Sequence, residues 1–333
     1  VESAPGGSSP MHVTTRSYQG TRGRPAWAPD GSKFAAEVRT SILVFSPDGE
    51  TVLGKIGPPG WNANPAFSPD GSKIAFANGY FGPDKPNGWS LQVADADGSN
   101  VEVINKNLGW RPEWSADGRK IAYTGYSETE KRGYYTWVTT ADGSKEWCIT
   151  PPDRVLETEH RWDPTGQEVV TSGYGRDGRH LMVMDETGRK ARQITFGGRG
   201  VSDQTPEWSP EGNQIVFEQH WEGGGRLSLV DPYGDEVRPL VDLGLTEYEP
   251  TFSPDGQWVA FSAGRYSGTF DIHVVKADGS ETHRLTTREG DEYLPSWSPD
   301  GKKIAFLTFD RDMNNGVGVV DFDPKAWEKV TPE

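Results

Sequence analysis

Residues 270–306 read FDIHVVKADGSETHRLTTREGDEYLPSWSPDGKKIAF, and the order of parts in this stretch decides the fold. Short runs of alternating apolar residues lead first into Asp278-Gly279 and then, after a second set, into Ser298-Pro299-Asp300-Gly301. An Asp-Gly pair supplies the positive φ that a tight hairpin requires, and short alternating runs bounded by such turns read as strands. Working outward, the unit that starts at Pro250 divides into four runs, 251–253, 258–262, 271–275 and 283–286, separated by Asp255-Gly256 and Asp278-Gly279. The expectation is a four-stranded antiparallel meander.

The pattern Pro-x-aromatic-Ser-Pro-Asp-Gly-x-x-apolar-Ala-aromatic returns seven times, with some decay, at anchors Trp27, Phe67, Trp114, Trp162, Trp208, Phe252 and Trp297. The anchors stand 40 to 48 residues apart, and a period of about 40 to 50 residues means stacked or radially repeated units. One meander cannot bury both its faces, whereas seven packed radially can. The expected fold is therefore all-β, a seven-bladed β-propeller of four-stranded antiparallel blades over residues 11–333, behind a flexible leader or linker at 1–10. Low mean hydropathy, −0.70, is compatible with this because burial occurs between sheets rather than in one central core. The fourth copy is the most worn: His160 replaces the repeat proline, and Asp163-Pro164-Thr165-Gly166 replaces Ser-Pro-Asp-Gly. Segments 13–16 and 329–331 both resemble a fourth strand, one more than 28 strands need, so one terminus is expected to complete the last blade and the other to lie along an edge.

The quoted stretch resembles the repeat of TolB-type propellers, a likeness that extends over residues 11–333 through the seven copies. TolB itself has six blades and an additional N-terminal domain, so the fold carries over and a role in the Tol system does not. The resemblance also implies a periplasmic or extracellular location. Val1 opens into a Gly/Ser/Pro stretch rather than a basic, then apolar, leader, and no run reaches the roughly 18 apolar residues of a membrane span. The 34 Lys+Arg against 49 Asp+Glu give a net charge of −15, which opposes binding to phosphate backbones and argues against a nucleic-acid partner. Cys148, the single cysteine, forms no internal disulfide and is expected to be a small buried residue.

In a meander the Ser-Pro-Asp-Gly and Ala-Asp-Gly-Ser turns share one face, which looks structural. The variable connections crowd the other face, where function is expected. Immediately before the repeat proline stand Arg24, Asn64, Arg111, Glu159, Thr205, Glu249 and Leu294; two positions earlier stand Arg22, Asn62, Gly109, Glu157, Asp203, Glu247 and Glu292. Cations fall in the early blades and carboxylates in the later ones, a dipolar mouth for a ligand, unless these charges merely pair across a wet channel. Trp61, Tyr80, Phe81, Trp89, Trp110, Tyr126, Tyr134, Tyr135, Tyr174, Trp221, Tyr248 and Tyr293 add flat rings suited to sugar faces or peptide side chains, or to packing between blades.

The ligand-binding candidates are therefore Arg22, Arg24, Trp61, Trp110, Arg111, Glu159, His160, Asp203, Glu247, Tyr248, Glu249 and Tyr293. The leading expectation is a monomeric binding propeller without a cofactor, holding a protein segment or a glycan. The alternative is a polysaccharide lyase acting on uronates, with Tyr248 or His160 as base beside Arg111 or Arg161 to neutralise the carboxylate. Oligogalacturonate lyases are similar propellers that hold a divalent metal on a His-rich cluster. Here His160 and His220, with Glu157, Glu159, Asp203, Gln204 and Gln219, are the candidate ligands, and a three-histidine site is not visible. A third reading is a structural domain cut from a larger protein. No Gly-x-Ser-x-Gly elbow, His-Glu-x-x-His or phosphate-binding loop occurs.

Overall fold

A computed structural model describes residues 23–325 apart from 83–84, 106–108, 128–132, 152–154, 175–177, 223, 266–268 and 311–314. The unit taken as the pattern forms strands at Thr246–Phe252, Trp258–Gly264, Phe270–Lys276 and Thr282–Arg284, paired in sequence order. The same up-and-down order repeats around the molecule, and each Ser-Pro-Asp-Gly turn, like its worn copy in blade four, closes on a glycine at φ between 68° and 71°. In the second blade Gly71 N donates to Ser68 O at 2.8 Å while Asp70 caps the turn through Ser72 N at 3.0 Å. The seventh sheet has three strands among the described residues, Asp291–Trp297, Lys303–Phe309 and Asn315–Asp321. Both segments expected to supply its fourth strand, 13–16 and 329–331, lie outside the described residues, as does the leader at 1–10.

Burial lies between the blades, as the composition requires. Each buried cluster joins two successive sheets; Trp114, Ile121 and Tyr123 of blade three, for example, pack on Ala75, Leu91 and Val93 of blade two. Another joins Trp27, Phe34 and Phe45 of blade one to Ala305, Leu307, Val317 and Val319 of blade seven, so the ring is closed by packing. The anchors add a directional contact. Their indole N–H groups reach the first strand of the preceding blade: Trp114 to Ala66 O at 3.0 Å, Trp162 to Glu113 O at 3.2 Å, Trp208 to Arg161 O at 3.2 Å and Trp297 to Thr251 O at 3.1 Å. Trp27 donates to Ser296 O at 3.1 Å, across the closure itself. Cys148 departs from expectation: it sits half-buried in the short fourth strand Glu146–Cys148 at a blade margin, where burial is incomplete.

Candidate functional site

The first strand of each blade lines the axis, and its geometry is set by a bulge before the repeat proline. In blade two Ala63 faces Ala77 and Ala66 faces Ala75, so Asn64 and Pro65 together oppose a single residue. Equivalent shifts occur at Gln204/Glu207, Tyr248/Thr251 and Tyr293/Ser296. The residue before the proline, normally extended, adopts a left-handed conformation: Asn64 at φ 53°, Arg111 at 52°, Thr205 at 45°, Glu249 at 59° and Leu294 at 59°. A conformation unfavourable for these residues, repeated at one position of five blades, is maintained by the closed ring.

The consequence is an axial cavity of about 580 Å³ reaching from these residues to the prolines of the Ser-Pro-Asp-Gly turns. Seven charged side chains line it: Arg24, Arg111, Arg161, Glu113, Glu159, Glu207 and Glu249. Arg24 pairs across the channel with Glu207 and donates to Pro250 O at 2.7 Å. Glu207 also accepts from Thr251 Oγ1 at 2.6 Å and lies 3.5 Å from Arg161 Nε. Arg111 Nη1 donates to Glu159 Oε1 at 2.8 Å, and the other oxygen of Glu159 accepts from Thr205 N at 2.8 Å.

These contacts divide the carboxylates into two kinds. Burial alone would raise both Glu159 and Glu207, yet Arg111 and Arg179 hold the first below its ordinary value, and Arg24 and Arg161 do so for the second. Glu113 and Glu249 have weaker compensation, and burial pushes each up to about 7. Glu249 accepts from Leu294 N at 2.7 Å, and the neighbouring charge of Glu218 raises it further. The channel thus holds fixed guanidinium groups beside carboxyls that exchange protons near neutrality.

Of the residues named from sequence, Arg24, Arg111, Glu159, Arg161 and Glu249 do meet at the axis, and Arg22 lies outside the described residues. The described side chains two positions before the residue that precedes the proline do not line it. Asp203, Glu247 and Glu292 are buried between strands because the bulge reverses the alternation: Asp203 faces Gln219 whereas Glu207 faces Val216, on opposite faces of the sheet. Asp203 accepts from Gln219 Nε2 at 3.2 Å, and Glu247 accepts from Leu243 N at 2.8 Å, anchoring an inter-blade connection. Gln204 Nε2 donates within its own strand to Ser202 Oγ at 2.8 Å. Glu113 and Glu207 were missed. They lie two residues after the residue preceding the proline, so counting forward through the bulge finds them.

His160 is held as a buried imidazole away from the channel. It is 1% exposed, packed on the backbone of Ala122 and Arg111 in the place of the proline ring, and burial together with Arg161 lowers it to about 3. Tyr248 lies tilted between His220, at 5.5 Å, and Phe270, at 5.6 Å, and Tyr293 continues the row at 4.9 Å from Phe270. His220 is engaged by Glu218 at 3.0 Å. A second row on blades two and three contains Trp61, Trp89, Trp110, Tyr134 and Tyr126. Among the described residues, which do not include the side chain of Glu157, no three His, Cys, Asp or Glu side chains are arranged to hold a metal ion.

A closed ring of seven sheets around a charged channel defines a β-propeller. The family described as the TolB beta propeller domain matches residues 80–244. The Tol-Pal system protein TolB of Alcanivorax borkumensis is 33% identical over 95 residues, which are 28% of this chain and 21% of that protein. A solved oligogalacturonate lyase in complex with manganese superposes with a TM-score of 0.71 at 14% identity, covering 98% of this chain and all of that one. The oligogalacturonate lyase of Vibrio parahaemolyticus gives 0.69 at 12% identity, over 95% and 92% of the two chains. The chain is a propeller related in fold to TolB and to propeller enzymes alike. No helix among the described residues is long and apolar enough to cross a membrane.

Proposed function

We propose that this propeller acts on a uronate-bearing polysaccharide at the axial mouth, cleaving it by β-elimination. The observation that carries the reading is the convergence of Arg24, Arg111 and Arg161 with Glu113 and Glu249 in one cavity. A uronate α-proton is removed only when its carboxylate is neutralised, which an arginine fork does well, and a base with a pKa near the working pH takes the proton most effectively. Glu249 or Glu113, each at about 7, serves as that base in place of His160 or Tyr248. The C5 proton passes to the carboxylate, its electron pair forms the C4–C5 double bond, and the C4–oxygen bond breaks with the departing sugar oxygen taking a proton from water. The two lyases aligned along nearly the whole chain support this reading.

A specific observation favours a second reading, a binding module for a glycan or a protein segment: Arg24 and Arg111 already pair with channel glutamates, as structural ion pairs do. Both readings take residues 11–333 as one propeller, with 1–10 as leader, in the periplasm or outside the cell. Incubation with polygalacturonate separates them. A rise in absorbance at the wavelength of the unsaturated product, abolished in Glu249→Gln or Glu113→Gln, supports the lyase. Saturable binding without that rise supports the module, and neither signal removes the polysaccharide reading.

A further inference from the structure

Five aromatic rings are in contact across the variable-loop face of blades two and three. Ring centroids are 5.8 Å apart from Trp61 to Trp89, 5.8 Å from Trp89 to Trp110, 5.3 Å from Trp110 to Tyr134 and 5.4 Å from Tyr134 to Tyr126. None belongs to the cluster that joins these two blades, which consists of Ala75, Leu91, Val93, Trp114, Ile121 and Tyr123 with smaller contributions around them. All five are partly exposed, whereas the anchor Trp114 in that cluster is 8% exposed. Membership of the buried core between these blades therefore does not account for them.

The rings are held in place. Trp61 Nε1 donates to Glu37 Oε1 at 2.9 Å, and Glu37 is fully buried. Trp89 lies over Gly79, where an added Cβ would come within 3.0 to 3.1 Å of the indole, so glycine opposite tryptophan lets the ring rest on the sheet. Trp110 is followed directly by Arg111, whose guanidinium enters the axial cavity. Trp110, the middle member of the row, thus stands one residue along the chain from the channel lining.

We propose that this row is an extended subsite that stacks successive pyranose rings of an oligosaccharide whose terminal or reacting sugar sits at the axis. It rests on the polysaccharide reading. A pyranose presents a flat C–H face to an aromatic ring and keeps its hydroxyls in water, which fits rings that are half-buried and held from behind. An extended peptide would instead seek the open backbone of a sheet edge, whereas this row crosses the ends of inner strands.

The test is binding of the full chain to oligogalacturonides of increasing length, read by calorimetry and by quenching of tryptophan fluorescence, for the wild type, Trp89→Ala and Tyr134→Ala. Each variant is expected to lose about three- to tenfold affinity for the longer oligomers and none for the disaccharide, with Trp89→Phe retaining most of it and near-UV dichroism confirming the fold. Length dependence unchanged in both variants overturns the subsite while leaving the axial reading in place. If the wild type binds no oligogalacturonide, the axial reading fails, and neutral cello-oligosaccharides then decide the subsite. Quenching lost in Trp89→Ala supports a stacking row without uronate chemistry, and no quenching overturns the row as well.

Discussion

Glu207 bridges two guanidiniums in the channel, and replacing it by glutamine tests whether ion pairs across the axis hold the ring. In Glu207→Gln the side chain keeps its size and its capacity to accept from Thr251, but Arg24 and Arg161 lose the charge they share. Removing one partner of a fully buried pair costs about 3 to 5 kcal/mol. Here Arg24 and Glu207 are 15% and 17% exposed and Arg161 is 29% exposed, so water in the channel reduces the loss to about 1 to 3 kcal/mol. For a chain of 333 residues the unfolding entropy near the midpoint makes this roughly 2 to 4 °C in Tm. Scanning calorimetry at pH 8, with the exposed Glu211→Gln as control, is the assay. A midpoint no lower than that of the control would refute the view that these pairs organise the axis.

Glu113 and Glu249, raised to about 7, contribute stability that is complete below the ordinary value of 4.5 and is lost as pH rises through 7. Thermal midpoints should therefore fall between pH 5 and pH 8, and the Glu113→Gln, Glu249→Gln double variant should show a shallower fall; an unchanged slope contradicts the assignment. Trp27→Phe removes the indole contact to Ser296 across the ring closure, a loss of about 1 kcal/mol visible as an earlier denaturant midpoint, while a shift within error would mean that packing alone closes the ring. Thr205, β-branched at φ 45°, should be improved by Thr205→Asn by about 0.5 to 1 kcal/mol, and a lower midpoint would show that its side chain is needed where it stands.

The repeat was legible because its signals are local. Asp-Gly turns and aromatic anchors recur at fixed offsets, and the strand runs expected at 258–262 and 271–275 lie inside the observed Trp258–Gly264 and Phe270–Lys276. The axial positions Arg24, Arg111, Glu159 and Glu249 were legible for the same reason, since each precedes a repeat position that recurs in every blade. Asp203 and Glu247 were misplaced because a bulge is invisible to a count of two, and one extra residue carries a side chain to the other face of the sheet. The partner of Arg24 was not legible, because Glu207 lies 183 residues away and only ring closure brings them together. His160 marks the worn copy, and the worn position holds a buried imidazole whose pKa burial lowers to about 3.

A crystal structure of Glu249→Gln soaked with an oligogalacturonide tests the central claim most directly, because it locates the sugar as well as detecting it. The account predicts a uronate carboxylate within hydrogen-bonding distance of Arg24, Arg111 or Arg161, with the sugar's C5 facing residue 249 and the following rings over Trp110 and Trp89. An oligosaccharide ordered on another face, with the channel charges still paired only to one another, would contradict it.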